Sequence, residues 1–113
     1  MNGNDPLAIA ANAARGFPIL HCEECAENIR DALVAAGHHG EFIEIRAGGP
    51  RPYIVCLSYD GGQATITRNG RHVGVRVGSV VFDNLHPDGM PFDHWMTDFD
   101  AFGGVVVAVV TPF

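Results

Sequence analysis

The chain has no lysine among its 113 residues. Its seven basic residues are all arginine, and thirteen acids bring the formal net charge to −6. This excludes any lysine mechanism. It also leaves no basic patch for a nucleic-acid backbone and no polybasic membrane anchor. Long apolar runs are missing too: none approaches the roughly 18 residues of a membrane helix, and Met1 to Ala14 lacks the basic start and apolar core of a signal peptide. Cysteine is scarce and odd in number, at three, which argues against a secreted disulfide framework but leaves a Cys22–Cys25 redox pair open. A chain this long buries about two-thirds of its unfolded surface and needs no disulfide or metal for stability, so its thiols are free for chemistry. Internal repeats, linkers and low-complexity segments are lacking as well. Residues 1–113 are therefore read as one domain, with 1–16 either a fragment edge or a weak helix around Leu7-Ala8-Ile9-Ala10.

What is present centres on Leu20-His21-Cys22-Glu23-Glu24-Cys25-Ala26. From Cys22, apolar or small residues recur at Cys25/Ala26, Ile29, Ala32/Leu33 and Ala36, the spacing of one buried helical stripe. Pro18 upstream and Glu23 and Glu24 in the first turn place the helix start at Cys22. There the free backbone N–H groups and the positive dipole end favour a thiolate and can donate to an oxyanion. Cys22 is the candidate nucleophile. Cys25, one turn further in, loses most of that benefit and is the alternative nucleophile if the helix begins late. The plainer reading makes both thiols small core residues. Cys56, within Tyr53-Ile54-Val55-Cys56-Leu57, reads as core.

After the helix, Gly37 supplies a C-cap and Glu41 to Arg46 alternates as a half-buried strand. Tyr53 to Ser58 reads as an interior strand, turned by Asp60-Gly61-Gly62 to pair with Ala64-Thr65-Ile66-Thr67 as a hairpin. Pro91 to Phe99 reads as a short helix with Phe92, Trp95, Met96 and Phe99 on one side, packing on the sheet. Val105 to Val110, β-branched and ending in Thr-Pro, suits a central strand.

The clearest hairpin runs from Arg71 to Val77, through Gly78-Ser79, and back along Val80 to Leu85, with Asn69-Gly70 as the turn that aims its first strand. A two-residue loop pairs Val77 with Val80 and puts His72 and Asp83 on one face as diagonal neighbours, within reach of each other. That makes them a base-and-orienter pair. Asn84 then points away; a three-residue loop would shift the register and make Asn84 the orienter instead. His38, His39 and His94 read as turn or surface residues, and His21 as a loop residue. His86 reads as a turn residue close enough to the acid to shape the pocket.

Taken together, Cys22-Glu23-Glu24-Cys25-Ala26, Asn69-Gly70-Arg71-His72, and Val81-Phe82-Asp83-Asn84-Leu85-His86 with Gly89 and Trp95-Met96-Thr97-Asp98-Phe99 resemble the papain-fold toxin domains of bacterial polymorphic toxin systems. The resemblance spans most of residues 20 to 99. It implies an α+β, compact papain-like fold, its N-terminal Cys-bearing helix packed on an antiparallel β-sheet. It also implies an effector that attacks target-cell proteins through Cys22, His72 and Asp83, by glutamine deamidation or by peptide cleavage, with acyl transfer to another amine sharing the same first half. The chain is short for a papain-like protease, with no second domain to build a long cleft and no Gln or Asn upstream of Cys22 identified to complete an oxyanion hole. A protein-glutamine deamidase is therefore the expectation and a cysteine protease the alternative. No cofactor is required. The implied partners are a protein substrate in the target-cell cytoplasm and a cognate immunity protein that inhibits the effector.

A second resemblance has a different consequence. Cys-x-x-Cys at the head of a helix is similar to heavy-metal-associated domains, which bind soft cations through the two thiolates. The lead-in Phe17-Pro18-Ile19-Leu20-His21 departs from that family's strand and Gly-Met, and the His72 hairpin and Trp95 segment would be left without a role. A zinc site from Cys22, Cys25, His38 and His39 fits less well, since adjacent histidines lack the usual spacing.

Overall fold

A computed structural model describes residues 3–113. Met1 and Asn2, which open the segment read as a fragment edge or weak helix, lie outside the described residues. The remainder of that segment is a helix, α1 (Pro6–Ala14), with Pro6 at its first position and Asp5 Oδ1 accepting from Leu7 N–H at 3.0 Å. Its alanines Ala10, Ala13 and Ala14 are buried against the second helix, α2 (Cys22–Ala35). Small side chains let the two helices approach closely. Asn28 of α2 ties them by donating to the Ala13 carbonyl at 2.9 Å.

The end of α2 is set by Gly37. With φ at +83°, it lets its own N–H reach Val34 O at 3.0 Å and that of His38 reach Leu33 O at 2.9 Å, the paired bonds of a Schellman cap. The chain then enters β1 (Glu41–Ala47), an interior strand of a five-stranded antiparallel sheet. The sheet runs β5 (Met90–Pro91), β4 (Val80–Phe82), β3 (Arg71–Val77), β1, β7 (Val105–Pro112). Gly78, at φ +62°, takes the first position of a two-residue loop and sets Val77 opposite Val80.

Alternation along β1 and β3 divides the interior into two cores. Val73, Val75 and Val77 face α1 and α2, where Ile29, Leu33 and Ala26 cover them. On the other face Ile43 and Ile45 pack with Ile54, Cys56, Ile66, Val81, Trp95 and Phe99. Trp95 lies on α3 (Phe92–Thr97), which packs on the sheet. The fold is α+β, with a cysteine-bearing helix on an antiparallel sheet.

Two segments differ from the sequence reading. Residues 53–67 do not form a regular hairpin: β2 is only Val55–Cys56, it pairs with the distant β6 (Phe99–Asp100), and Thr65 contributes one isolated bridge to Val55. The short 3-10 turn Asp60–Gly62, with Gly61 and Gly62 both at positive φ, interrupts the stretch and leaves little backbone for a ladder. The valine run 105–110 is an edge strand, not a central one; β7 pairs with β1 alone, and Val106 and Val110 are half exposed.

Candidate active site

The turn before α2 delivers Cys22 to the end of the sheet. His21 N–H donates to Pro18 O at 3.2 Å, and Leu20 sits between them with φ at +74°, a conformation that costs a branched residue about 1–2 kcal/mol. Asn84 holds the turn in place by donating to the Pro18 carbonyl at 2.9 Å. Arg71, one residue before His72, bridges Glu23 of the first helical turn and Glu44 of β1 at 3.2 and 2.9 Å. The α2 start is thus tied to β3, which carries His72, and to the segment after β4 that carries Asp83.

His21, the residue before α2, supplies no side-chain cap. Its ring instead bonds Glu24 at the protein surface. The backbone N–H groups that open the helix are therefore left for another acceptor. A cavity of about 390 Å³ lies over this point, lined by Leu20, Cys22, Glu24, Ile66, Asn69 and Arg71 among others.

The two thiols of the Cys-x-x-Cys pair differ in environment. Cys22 borders the cavity and is 8 % exposed, whereas Cys25 is fully buried and donates to the Ala14 carbonyl at 3.5 Å. Burial, then the Asp83 charge and the neighbouring Cys22, push the Cys25 thiol up to about 12.

His72 and Asp83 meet as the two-residue loop requires. His72 Nε2 lies 2.8 Å from Asp83 Oδ2, and both side chains are fully buried. Burial alone would lower the His72 imidazolium. Its hydrogen bond to Asp83, the nearby Cys22 and the Asp83 charge outweigh it and raise the ring to about 9. The other ring nitrogen, Nδ1, has no hydrogen-bond partner among the described residues, and with Nε2 held by Asp83 it is the nitrogen left for the thiol. Asn84 is turned away toward Pro18, so it positions the α2 start and makes no contact with His72.

Asp83 accepts five hydrogen bonds from the described residues. Oδ2 also accepts from Trp95 Nε1 at 2.9 Å, and Oδ1 accepts from Leu85 N, His86 N and His86 Nδ1 at 3.0, 2.6 and 2.8 Å. Burial would raise its pKa, but bonds from His72 and His86 and their charges hold the carboxyl well below the usual range. Phe99 flanks both imidazoles, its ring centroid 5.0 Å from His72 and 5.7 Å from His86.

Sequence reading did not find His86 and Trp95 as partners of the acid. His86 opens a turn, as read, but its side chain is buried, and the bonds from Leu85 N and His86 N to Asp83 Oδ1 form an Asx turn. An Asp three residues before a His-Pro turn was the available signal. His38 and His39 bond the carbonyls of Asn4 and Phe113, far along the chain from the Cys pair.

A cysteine at a helix start, followed along the chain by a histidine and an acid joined on the sheet, is the arrangement of a papain-like α+β fold. The family model of papain fold toxin 2 matches residues 6–100, and the chain belongs to that family. It is a toxin of papain-like fold. Comparison with curated proteins and with solved structures returns no match. Among the described residues no helix is long and apolar enough to cross a membrane.

Proposed function

We propose that the protein is a cysteine-dependent toxin that deamidates glutamine side chains of a target-cell protein, with Cys22 as nucleophile, His72 as acid and base, and Asp83 as orienter. The observation that carries the reading is the division of labour at His72: Nε2 is held by a buried, charged Asp83, and a free Nδ1 is left for a thiol that borders a cavity. In the first half-reaction Cys22 Sγ bonds to the carboxamide carbon. The N–H groups at the uncapped start of α2 receive the oxyanion. The C–N bond breaks as His72 gives its proton to the departing ammonia, leaving a thioester. Water then gives a proton to His72 and its oxygen to the thioester carbon, and the thiolate leaves. No cofactor enters these steps. Cys25, buried and protonated, lies behind the nucleophile.

Deamidation is favoured over chain cleavage because the cavity over Cys22 is bounded by Leu20 to Glu24 on one side and by Ile66 to Asn69 with Arg71 on the other and can take a single protruding side chain. An inhibitory partner made by the producing cell would protect it by covering that cavity. The test is inducible expression in a bacterial host, comparing the native chain with Cys22→Ala and His72→Ala, followed by proteome mass spectrometry. Growth arrest and Gln-to-Glu mass shifts that depend on both residues are expected. New chain termini without such shifts would replace deamidase by peptidase. Toxicity that survives His72→Ala but is lost in Cys25→Ala would overturn the triad in favour of thiolate–metal binding.

A further inference from the structure

The hydrogen-bond chain continues past Asp83. His86, held through Nδ1 by Asp83, presents Nε2 to Asp98 Oδ2 at 2.6 Å. Cys56 Sγ lies 3.3 Å from that same oxygen and 3.8 Å from His86 Nε2. Ser58 bonds Asp98 through its hydroxyl, and its N–H donates to Asp98 Oδ1 at 3.1 Å. Backbone pairing builds the cluster: β2 sets Cys56 opposite Phe99 of β6, and Leu57 N–H donates to the Asp98 carbonyl at 2.7 Å. None of these four side chains takes part in the steps proposed at Cys22.

We propose that Cys56, His86 and Asp98 form a zinc-type transition-metal site, with the Ser58 hydroxyl or a water completing a tetrahedron. Among the described residues this is the group of His, Cys and carboxylate donors that converges on one point, all three ligand atoms within 4.8 Å of one another. A tetrahedral zinc with ordinary bond lengths separates its donors by about 3.4 to 3.6 Å. The two distances from sulfur, 3.8 and 3.3 Å, already match this closely. The 2.6 Å between His86 and Asp98 is a hydrogen bond, which must lengthen when the ion replaces its proton. A thiolate in the set selects a borderline or soft ion over magnesium or calcium. The outer contacts are in place as well. A ligating histidine characteristically donates its second ring N–H to a carboxylate, which Asp83 Oδ1 provides at 2.8 Å. Asp98 is partly exposed, giving the ion a way in, while Cys56 and His86 are buried. The exchange balances: the dication displaces the Cys56 thiol proton and the His86 Nε2 proton, so the cluster keeps its net charge and Asp83 keeps its donor.

This inference stands apart from the reaction at Cys22, and so does its test. The full chain, stripped with a chelator, is titrated with Co(II) and then with Zn(II) in competition. A thiolate-to-cobalt charge-transfer band with tetrahedral visible bands, at one ion per chain, is expected in the native protein and equally in Cys22→Ala. Cys56→Ser and Asp98→Asn should each weaken binding at least a hundredfold. No cobalt–thiolate band, a band that survives Cys56→Ser, or a band lost in Cys22→Ala would overturn the proposal. If the ligand variants do not fold, X-ray absorption of the zinc-loaded native chain decides: one Zn–S bond of about 2.3 Å supports the site, and two sulfurs would instead assign the ion to Cys22 and Cys25.

Discussion

Replacing Asp83 with Asn changes almost no volume, and its cost follows from counting donors. Five N–H groups converge on the carboxylate: Leu85 N, His86 N and His86 Nδ1 on one oxygen, His72 Nε2 and Trp95 Nε1 on the other. An asparagine has one oxygen, so its amide must point N–H bonds at one of these groups. If the oxygen stays with the turn, His72 can switch tautomer and accept, but the indole N–H of Trp95 can only donate. That buried donor loses its acceptor, at about 1–3 kcal/mol. The bonds that remain lose charge assistance, and two imidazoliums lose their counter-charge. Breaking a buried pair in this way costs about 3–5 kcal/mol. At roughly 4 °C per kcal/mol for a chain of this size, Tm should fall by about 12–20 °C. Trp95 is the sole tryptophan, so its fluorescence follows the perturbed site while far-ultraviolet circular dichroism follows the fold. Both transitions should move together. A Tm loss under about 4 °C, near 1 kcal/mol, would refute the charged, five-donor network.

Four further outcomes follow from the same geometry. Trp95→Phe keeps a ring against Phe99 but removes one donor to a charged acceptor, so unfolding free energy should drop by about 1.5–3 kcal/mol in urea titration, less than for Asp83→Asn. Gly74→Ala places a methyl 2.8 Å from Val81 Cγ1 and 3.0 Å from Trp95 Cζ2; overpacking of this kind costs about 1–3 kcal/mol, and an unchanged Trp95 emission would show that the indole has room to retreat. His72 is raised to about 9 in the fold, from about 6.5 unfolded. Its contribution is thus fully present below about pH 6.5 and lost as pH rises through about 9; this group should account for a loss of roughly 3 kcal/mol over that window, and a His72→Phe variant should show a shallower decline, keeping the part due to His86, which is raised to about 11. Asn84→Ala frees the Pro18 turn, so iodoacetamide should modify Cys22 more slowly while Tm shifts by no more than about 4 °C; an unchanged alkylation rate would remove Asn84 from the positioning of Cys22.

How far the sequence discloses the fold depends on whether a feature is closed locally. The stripe Cys25, Ala26, Ile29, Leu33 and the Gly37 cap belong to one helix, and both appear as read. The loop Gly78-Ser79 dictates its register from two residues, and Val77 does pair with Val80. The strand expected through Leu85 stops at Phe82 because Asp83 turns its carboxylate onto the backbone N–H groups of Leu85 and His86 and so competes with the ladder. Residues 53–67 find their partner at Phe99–Asp100, more than forty residues on from Val55, and no pattern within the segment carries that information. The valine run of β7 shows the opposite limit: its composition specifies a strand, but whether one edge or both are paired is decided elsewhere.

The same distinction explains the site. His72 and Asp83 were legible as a pair because eleven residues and one tight loop hold them together. Trp95 was legible only as an apolar member of a helix face, since its indole N–H reaches Asp83 through packing of α3 on the sheet. Asp98, Cys56 and His86 come from the α3 end, β2 and the Asx turn. None of these has a sequence neighbour that implies the other two. Asp83 is where the legible and the illegible parts join: one oxygen serves the hairpin partner His72, and the other serves His86, which leads on to Asp98 and Cys56. Because five donors from β3, the turn and α3 must all arrive before that carboxylate is satisfied, the charge bonded to His72 is stable only in the completed fold. Partial structures that lack α3 or the turn would leave the acid short of donors, which favours its protonation and withdraws the negative charge from His72.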